Sequence, residues 1–229
     1  MSASVPPGLD AAAVDAVRRQ VADLHAELIR WGLVVWTSGN VSARLPGADL
    51  MVIKPSGLAY TDITPESLVV CDFTGAKVAG AGSPSSDAAA HGFVYQHMPD
   101  IGGVVHTHST YATAWAARGE AIPCVITAMA DEFGGEIPIG PFALIGDDSI
   151  GQGIVETLRG HRSPAVLMQN HGVFTIGKTA RDAVKAAAMC EDVARTVHLS
   201  RQLGQPLAIE PSDIDRLYDR YTNAYGQPT

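Results

Sequence analysis

The sequence is poor in cysteine, in basic residues and in long apolar runs, and each shortage excludes a class of protein. Its 229 residues include three cysteines, Cys71, Cys124 and Cys190, which are too few and too scattered for a disulfide framework or a cysteine-ligated metal. Lys and Arg number 16 against 24 Asp and Glu, a net charge of -8, so we expect no nucleic-acid or anionic-membrane surface. No apolar run approaches the roughly 18 residues that a membrane-spanning helix needs.

The rest of the composition is that of an ordinary globular protein, with 46% apolar and 17% charged residues. Short strand-like and helix-like segments predict an α/β fold with a central, largely antiparallel sheet and helices on both faces. We expect a flexible tail at residues 1–9 and a single domain over residues 10–229, because no repeat or long linker divides the chain. The stretch from Met1 to Gly8 lacks the basic start and apolar core of a signal peptide, and we therefore expect a cytoplasmic location.

Two histidines close a predicted strand in the stretch Gly102-Gly103-Val104-Val105-His106-Thr107-His108-Ser109. Residues i and i+2 of a strand point to the same face, so His106 and His108 present two imidazoles side by side. Imidazole is the commonest metal ligand. A lone His-x-His is weak evidence for a metal site, and the interpretation depends on donors elsewhere in the chain.

Two further residues can complete such a site. His171 lies in a Gln-Asn-His-Gly turn between two predicted strands, where it can project from a sheet end, although it could instead be a turn histidine bonded to backbone. Asp87 can add a carboxylate. Three imidazoles and a carboxylate leave room for substrate oxygens on a divalent ion, as in catalytic zinc sites. His91, four residues after Asp87, is either a supporting partner of that carboxylate or a competing ligand.

Three turns share a composition of small hydroxyl residues and glycine or proline. They are Thr37-Ser38-Gly39-Asn40, Pro55-Ser56-Gly57 and Pro84-Ser85-Ser86. Such residues let backbone N–H groups converge on an anion without crowding, and Lys54 beside the second turn can add a positive charge. Each turn alone is equally an ordinary loop. Three of them in one domain, with a histidine-rich strand downstream, favour a phosphate-binding pocket.

Two other side chains carry no distinctive signal of their own. Asp131 lies in an acidic, glycine-containing segment with Glu132 and Glu136 close by, and is not distinguished from a solvated acidic loop. Tyr225 falls on the predicted apolar face of the last helix, where a packing tyrosine is the ordinary interpretation.

Seven stretches together resemble the class II aldolase and adducin-related superfamily, over about residues 12 to 227, and within it the L-ribulose-5-phosphate 4-epimerase branch. The stretches are Trp36-Thr37-Ser38-Gly39-Asn40-Val41-Ser42, Ile53-Lys54-Pro55-Ser56-Gly57, Pro84-Ser85-Ser86-Asp87, Ile101-Gly102-Gly103-Val104-Val105-His106-Thr107-His108-Ser109, Ala112-Thr113-Ala114-Trp115-Ala116, Asn170-His171-Gly172 and Ala224-Tyr225-Gly226-Gln227.

The resemblance implies roles for named residues. It implies that Zn2+, or another divalent ion such as Mn2+ or Co2+, is held by Asp87, His106, His108 and His171. It implies that a sugar phosphate is bound by Gly39 and Asn40, Ser56 and Gly57, and Ser85 and Ser86. It also implies that Asp131 and Tyr225 are the acid/base pair, helped by Thr127, and that they reach the metal of a neighbouring chain in a homotetramer.

The implied reaction is interconversion of L-ribulose 5-phosphate and D-xylulose 5-phosphate, as in arabinose catabolism. The C4 hydrogen is not acidic, so inversion requires cleavage and re-formation of the C3–C4 bond, with proton transfer at the C4 oxygen on both faces. The family's epimerases carry aspartate after the two serines, as Asp87 does here, whereas its aldolases typically carry glutamate.

One departure keeps other functions open. The segment from Asp131 to His171 is shorter than in the best-known epimerases, resembles the aldolases in length, and lacks a counterpart of a glutamate found there. The alternatives are a sugar-phosphate aldolase of the L-fuculose 1-phosphate type and a non-catalytic, adducin-like interaction module. The complete set of four metal donors argues against the last.

Overall fold

An eight-stranded sheet runs through the computed structural model, which describes Val5 and residues 8–225. The strand order is β4-β3-β2-β1-β5-β8-β7-β6, and neighbours are antiparallel except for the parallel pair β6–β7. The strands are β1 Asn40–Arg44, β2 Leu50–Ile53, β3 Val69–Asp72, β4 Lys77–Ala79, β5 Gly103–Thr107, β6 Ile139–Gly140, β7 Ala165–Met168 and β8 Gly172–Gly177. The strand that carries His106 is therefore central.

Seven α-helices surround the sheet within the described residues. They are α1 Ala11–Arg30, α2 Ala88–His97, α3 Thr110–Arg118, α4 Thr127–Phe133, α5 Ser149–Leu158, α6 Ala180–Leu203 and α7 Pro211–Ala224, with 3₁₀ turns at Tyr60–Asp62 and Pro65–Ser67. Local sequence explains several ends: Thr179 and Asp182 form a capping box at the start of α6, which satisfies two backbone N–H groups. In the described part of the chain, none of these helices is long and apolar enough to cross a bilayer.

Alternating strand residues bury two faces of the sheet. On β5, Val104 packs in one apolar cluster, which includes side chains of α2 and α5. The next residue, Val105, packs in another, which includes side chains of α1 and α6. A third cluster joins α3, α4 and the second half of α6. Full burial of one such side chain contributes about 1.5–3 kcal/mol to stability. Packing on both faces of the sheet therefore stabilises β5.

The predicted fold class, an α/β fold with a largely antiparallel sheet and helices on both faces, is confirmed. One local detail differs from expectation. Tyr225 lies beyond the end of α7 in an extended conformation, with φ -92° and ψ 139°, so it is not on the helix face as expected.

Two predictions fall on residues at the chain ends. The expected tail, residues 1–9, lies largely outside the described residues, as do Gly226 and Gln227 of the last matching stretch. All three cysteines are free, with Cys71 and Cys190 buried.

Candidate active site

Three histidines from two segments converge at one end of the sheet. His106 is the fourth residue of β5, His108 follows that strand, and His171 lies in the turn between β7 and β8. One ring nitrogen from each lies within 4.8 Å of the others, and Nε2 of His106 is 2.9 Å from Nε2 of His108. Two nitrogens that share a zinc ion lie roughly 3.3 Å apart, given Zn–N distances of about 2.0–2.1 Å and tetrahedral geometry. The spacing fits one cation.

Two glycines permit this close approach. A Cβ on Gly172 would lie 2.6 Å from the Thr107 carbonyl oxygen and 2.8 Å from the His108 ring. Gly39 has φ +76°, and a Cβ there would lie 2.8 Å from the His106 carbonyl oxygen. Any larger residue at either position would push the backbone away from the histidines.

A backbone contact sets the tautomer of His106. Its Nδ1 lies 3.0 Å from the Val173 carbonyl oxygen, an acceptor only, so Nδ1 carries the proton and Nε2 keeps its lone pair facing His108. Burial lowers the pKa of His106 to about 3, against the opposing effect of Asp87. Burial likewise lowers the pKa values of His108 and His171. Neutral imidazoles with converging lone pairs are the form that a divalent cation requires.

Asp87 lies beside the histidines but outside the tight group. Its carboxylate accepts hydrogen bonds from Asn40 Nδ2 at 2.7 Å and from Ser85 Oγ at 3.4 Å. Burial raises the pKa of Asp87, but His106, His91 and the Asn40 amide outweigh burial and hold that pKa below its usual value. The residue therefore supplies a buried negative charge next to the imidazoles, and its role as a fourth ligand stays a prediction.

His91 lies outside the group of three converging histidines. It is fully buried, and its Nδ1 lies 2.8 Å from Ser42 Oγ, which also contacts the Tyr95 hydroxyl at 2.8 Å. This geometry favours a supporting role over that of a competing ligand.

All of the predicted phosphate-binding residues line one pocket with the histidines. The cavity has a volume of about 320 Å³ and its walls include Thr37, Ser38, Gly39, Asn40, Lys54, Ser56, Gly57, Ser85, Ser86, Asp87, His106, His108, Ile145 and His171. The Lys54 ammonium group donates to the Thr37 carbonyl oxygen at 2.8 Å, and burial lowers its pKa. Lys54 thus stabilises the turn that contains Thr37, and its positive charge can also attract an anion.

The predicted acid/base residues lie elsewhere in the chain. Thr127 and Asp131 are one turn apart on α4, and Tyr225 follows α7; none of the three lines the histidine pocket. Asp131 instead accepts from Arg220 Nη2, with both carboxylate oxygens at 3.3 Å. Within one chain, the structure does not bring the two predicted sets together.

Some residues around the site were missed by sequence reasoning. Ile145, in the loop after β6, lines the pocket with its side chain more than half exposed. Glu191 of α6 accepts hydrogen bonds from the backbone N–H groups of Tyr111 and Ala112, both at 2.9 Å, and so caps the helix that follows His108. Neither has a sequence signal, because both contacts join segments distant in the chain.

A larger groove of about 1100 Å³ is lined mainly by side chains of α1 and α6. Acids such as Asp23 and Glu27 alternate there with bases such as Arg181 and Arg195. The described residues that line this groove include no converging group of metal donors, and their charges are mixed in sign. The smaller pocket with the histidines is therefore the candidate site.

Comparison with known proteins agrees with this geometry. A family model, Class II Aldolase and Adducin N-terminal domain, matches residues 19–198. The chain belongs to this family. L-ribulose-5-phosphate 4-epimerase UlaF of Salmonella paratyphi B is 43% identical over 219 residues, covering 92% of this chain and 95% of the relative. The same enzyme from Salmonella paratyphi A is 43% identical over 200 residues, covering 83% and 88%.

A solved structure shares the architecture. L-fuculose 1-phosphate aldolase superposes with a TM-score of 0.84 at 26% identity, covering 90% of this chain and 96% of the other. The known relatives of this family member therefore include both epimerases and aldolases.

Proposed function

We propose that this protein is a divalent-metal-dependent sugar-phosphate 4-epimerase that interconverts L-ribulose 5-phosphate and D-xylulose 5-phosphate. The observation that carries the proposal is the pocket in which three histidine nitrogens within 4.8 Å meet three turns rich in serine and glycine. A cation beside an oxyanion site suits a substrate with a carbonyl at one end and a phosphate at the other. The 43% identity to the epimerase UlaF over 92% of the chain supports the same substrate.

We assign the cation to His106, His108 and His171, with Asp87 as the fourth ligand. A bound divalent ion would supply Lewis-acid stabilisation of the charge that develops on the C2 and C3 oxygens when the C3–C4 bond opens. The histidine tautomers, set by contacts such as that of His106 with Val173, keep lone pairs directed at one point. Zn2+ is the expected ion, with Mn2+ or Co2+ as substitutes.

The three turns hold the phosphate. Gly39, Ser56 and Ser85 line the pocket, and Lys54 provides the positive charge in its wall. Their task is to retain the two-carbon aldehyde fragment, glycolaldehyde phosphate, while it rotates. Re-addition to its other face then produces the epimer.

Asp131 and Tyr225 serve as the acid/base pair at the C4 oxygen. Cleavage of C3–C4 needs a base to take the C4 hydroxyl proton, and re-addition to the opposite face needs an acid to return one. Because neither residue lines its own chain's pocket, we propose that they complete the pocket of a neighbouring chain in a homotetramer, with Thr127 beside them. A cytoplasmic location and a place in pentose catabolism, such as that of arabinose, accompany this proposal.

The second candidate is a sugar-phosphate aldolase. The likeness to L-fuculose 1-phosphate aldolase, with its TM-score of 0.84, favours it, as does the short segment between Asp131 and His171. The same pocket would serve, but the fragments would be released rather than recombined.

One experiment separates the candidates. Purified protein, with its metal content measured on the same sample, is incubated with L-ribulose 5-phosphate and, separately, with dihydroxyacetone phosphate plus lactaldehyde. An epimerase forms D-xylulose 5-phosphate in the first and nothing in the second. Formation of L-fuculose 1-phosphate alone would establish the aldolase, and a metal-free, inactive sample would support the non-catalytic module.

A further inference from the structure

Arg220 of α7 lies between the two proposed acid/base residues. Its Nη2 contacts both carboxylate oxygens of Asp131 at 3.3 Å, and its guanidinium carbon lies 5.6 Å from the centre of the Tyr225 ring. One side chain therefore touches a residue of α4 and a residue beyond the end of α7. In the sequence these two partners, Asp131 and Tyr225, are 94 positions apart, and Arg220 contacts both.

The ring contacts of Tyr225 come from α7 alone among the described residues. Tyr225 is 65% exposed and lies outside helical structure. Its other ring contact is Tyr221, stacked at 4.9 Å with an interplanar angle of 22°. The side chain of Asp131 is only 19% exposed, whereas that of Arg220 is 52% exposed. The Arg220 side chain thus contacts a carboxylate less exposed than itself and a tyrosine more exposed than itself.

We propose that Arg220 is a positioning residue that fixes the separation and orientation of Asp131 and Tyr225. This inference rests on the proposed function. The reaction needs proton transfer to one oxygen from two faces, so the two groups must be held at a set distance from each other. A planar guanidinium has five donors in a rigid fork, and a charged hydrogen bond and a cation–π contact can occupy it at the same time.

A purely structural role is the competing explanation, because the Arg220 contact also ties α7 to α4. The chain offers a matched case. Arg162 ties α7 to the body of the protein through Asp215 at 2.5 Å and through the Tyr218 ring at 5.2 Å, yet it touches neither acid/base residue. A second control is Arg216, one turn before Arg220 on α7, which pairs only within the helix with Asp213 at 3.3 Å.

The test compares the metal-loaded full chain carrying Arg220→Ala, Arg220→Lys, Arg162→Ala or Arg216→Ala. We measure kcat and KM for L-ribulose 5-phosphate, metal content, oligomeric state and melting temperature. Arg220→Ala should lower kcat about 10- to 100-fold, the scale on which misplaced catalytic groups act, at unchanged KM and metal content. Added guanidinium should restore part of the lost kcat in this variant alone. Arg220→Lys should recover kcat only partly, because an ammonium lacks the planar fork.

The controls decide between the explanations. Arg162→Ala should lower the melting temperature with kcat intact, and Arg216→Ala should change neither. Wild-type kcat in Arg220→Ala would overturn the inference, as would equal losses of kcat in Arg220→Ala and Arg162→Ala that follow their melting temperatures. If wild type and Arg216→Ala both fail to convert the substrate, the proposed function itself is wrong, and the inference falls with it.

Discussion

The histidine pocket and the α4–α7 surface differ in burial and in how their residues are held. His106 is 2% exposed and is fixed by strand pairing and by the Val173 carbonyl, whereas Tyr225 is 65% exposed and lies past the end of a helix. A group that binds a small cation must be pre-positioned by its own chain. A group that acts on a substrate bound by another chain must instead lie at the surface.

This contrast fits the proposal that one chain binds the metal and a neighbouring chain supplies the acid/base pair. The pocket's donors all come from segments that meet around β5, so their geometry is set when the sheet forms. In the proposed homotetramer, the surface around Asp131 takes part in catalysis only against a second copy of the chain.

Loss of a pocket histidine should abolish metal binding. His106→Ala removes one of three converging nitrogens, so we expect cation affinity to fall by more than the roughly 100-fold typical for loss of a supporting residue, and turnover to disappear. The check is a zinc competition titration together with metal analysis. His97→Ala is the control, because His97 is exposed, and its ring bonds the Phe93 carbonyl oxygen and stacks on the Phe93 ring within α2. Equal metal loss in that variant would count against the assignment.

Changes to the proposed acid/base residues should spare the metal. Asp131→Asn and Tyr225→Phe each remove a proton-transfer group, so we expect kcat to fall about 100- to 10,000-fold at full metal occupancy. Steady-state kinetics and metal analysis on the same samples provide the check. If either variant lost its metal, the two regions would not be separable and the acid/base assignment would be wrong.

The helix after His108 should depend on Glu191. The side chain of its N-cap residue, Ser109, makes no capping bond, and the Glu191 carboxylate accepts two N–H groups instead. Glu191→Ala leaves those donors unpaired, at a cost of about 2 kcal/mol, or roughly 4–8 °C in melting temperature, and should weaken cobalt binding measured by absorption. Asp192→Ala, at the exposed neighbouring position, is the matched control and should change neither quantity.

Buried His25 should make the stability of the fold depend on pH. His25 lies 2.7 Å from the Val21 carbonyl and accepts the Val41 N–H at 3.1 Å, and burial lowers its pKa to about 4. Between pH 6.5 and about 4, His25 is protonated in the unfolded chain but stays neutral in the folded chain. Stability is therefore lost as pH falls through this window, with a slope of up to about 1.4 kcal/mol per pH unit.

The His25→Asn variant isolates that contribution. Its free energy of unfolding, measured with a chelator present, should fall less steeply than that of wild type between pH 6.5 and 4. The exposed His97→Asn variant should keep the wild-type slope. Identical slopes for wild type and His25→Asn would show that His25 accepts a proton in the folded state.

Much of the architecture could be predicted because its signals are local. The apolar run before His106 predicted the strand β5, and the serine- and glycine-containing turns predicted the residues that line the pocket. The helix α4 was not predicted, because its seven residues are too short for a helical period to show. Arg220 and Glu191 escaped notice for a different reason: each acts on a partner about 80 to 90 positions away.

The chemical types present, three imidazoles, a buried carboxylate and serine-rich turns, could be read directly from the order of residues, since ligand identity and turn composition are local properties. Their convergence into one pocket, and the separation of Asp131 and Tyr225 from it, followed only from the folded chain. The reason is that sheet pairing brings His106 beside Val173 and Asn40 beside His106, and pairing between distant strands leaves no trace in local sequence.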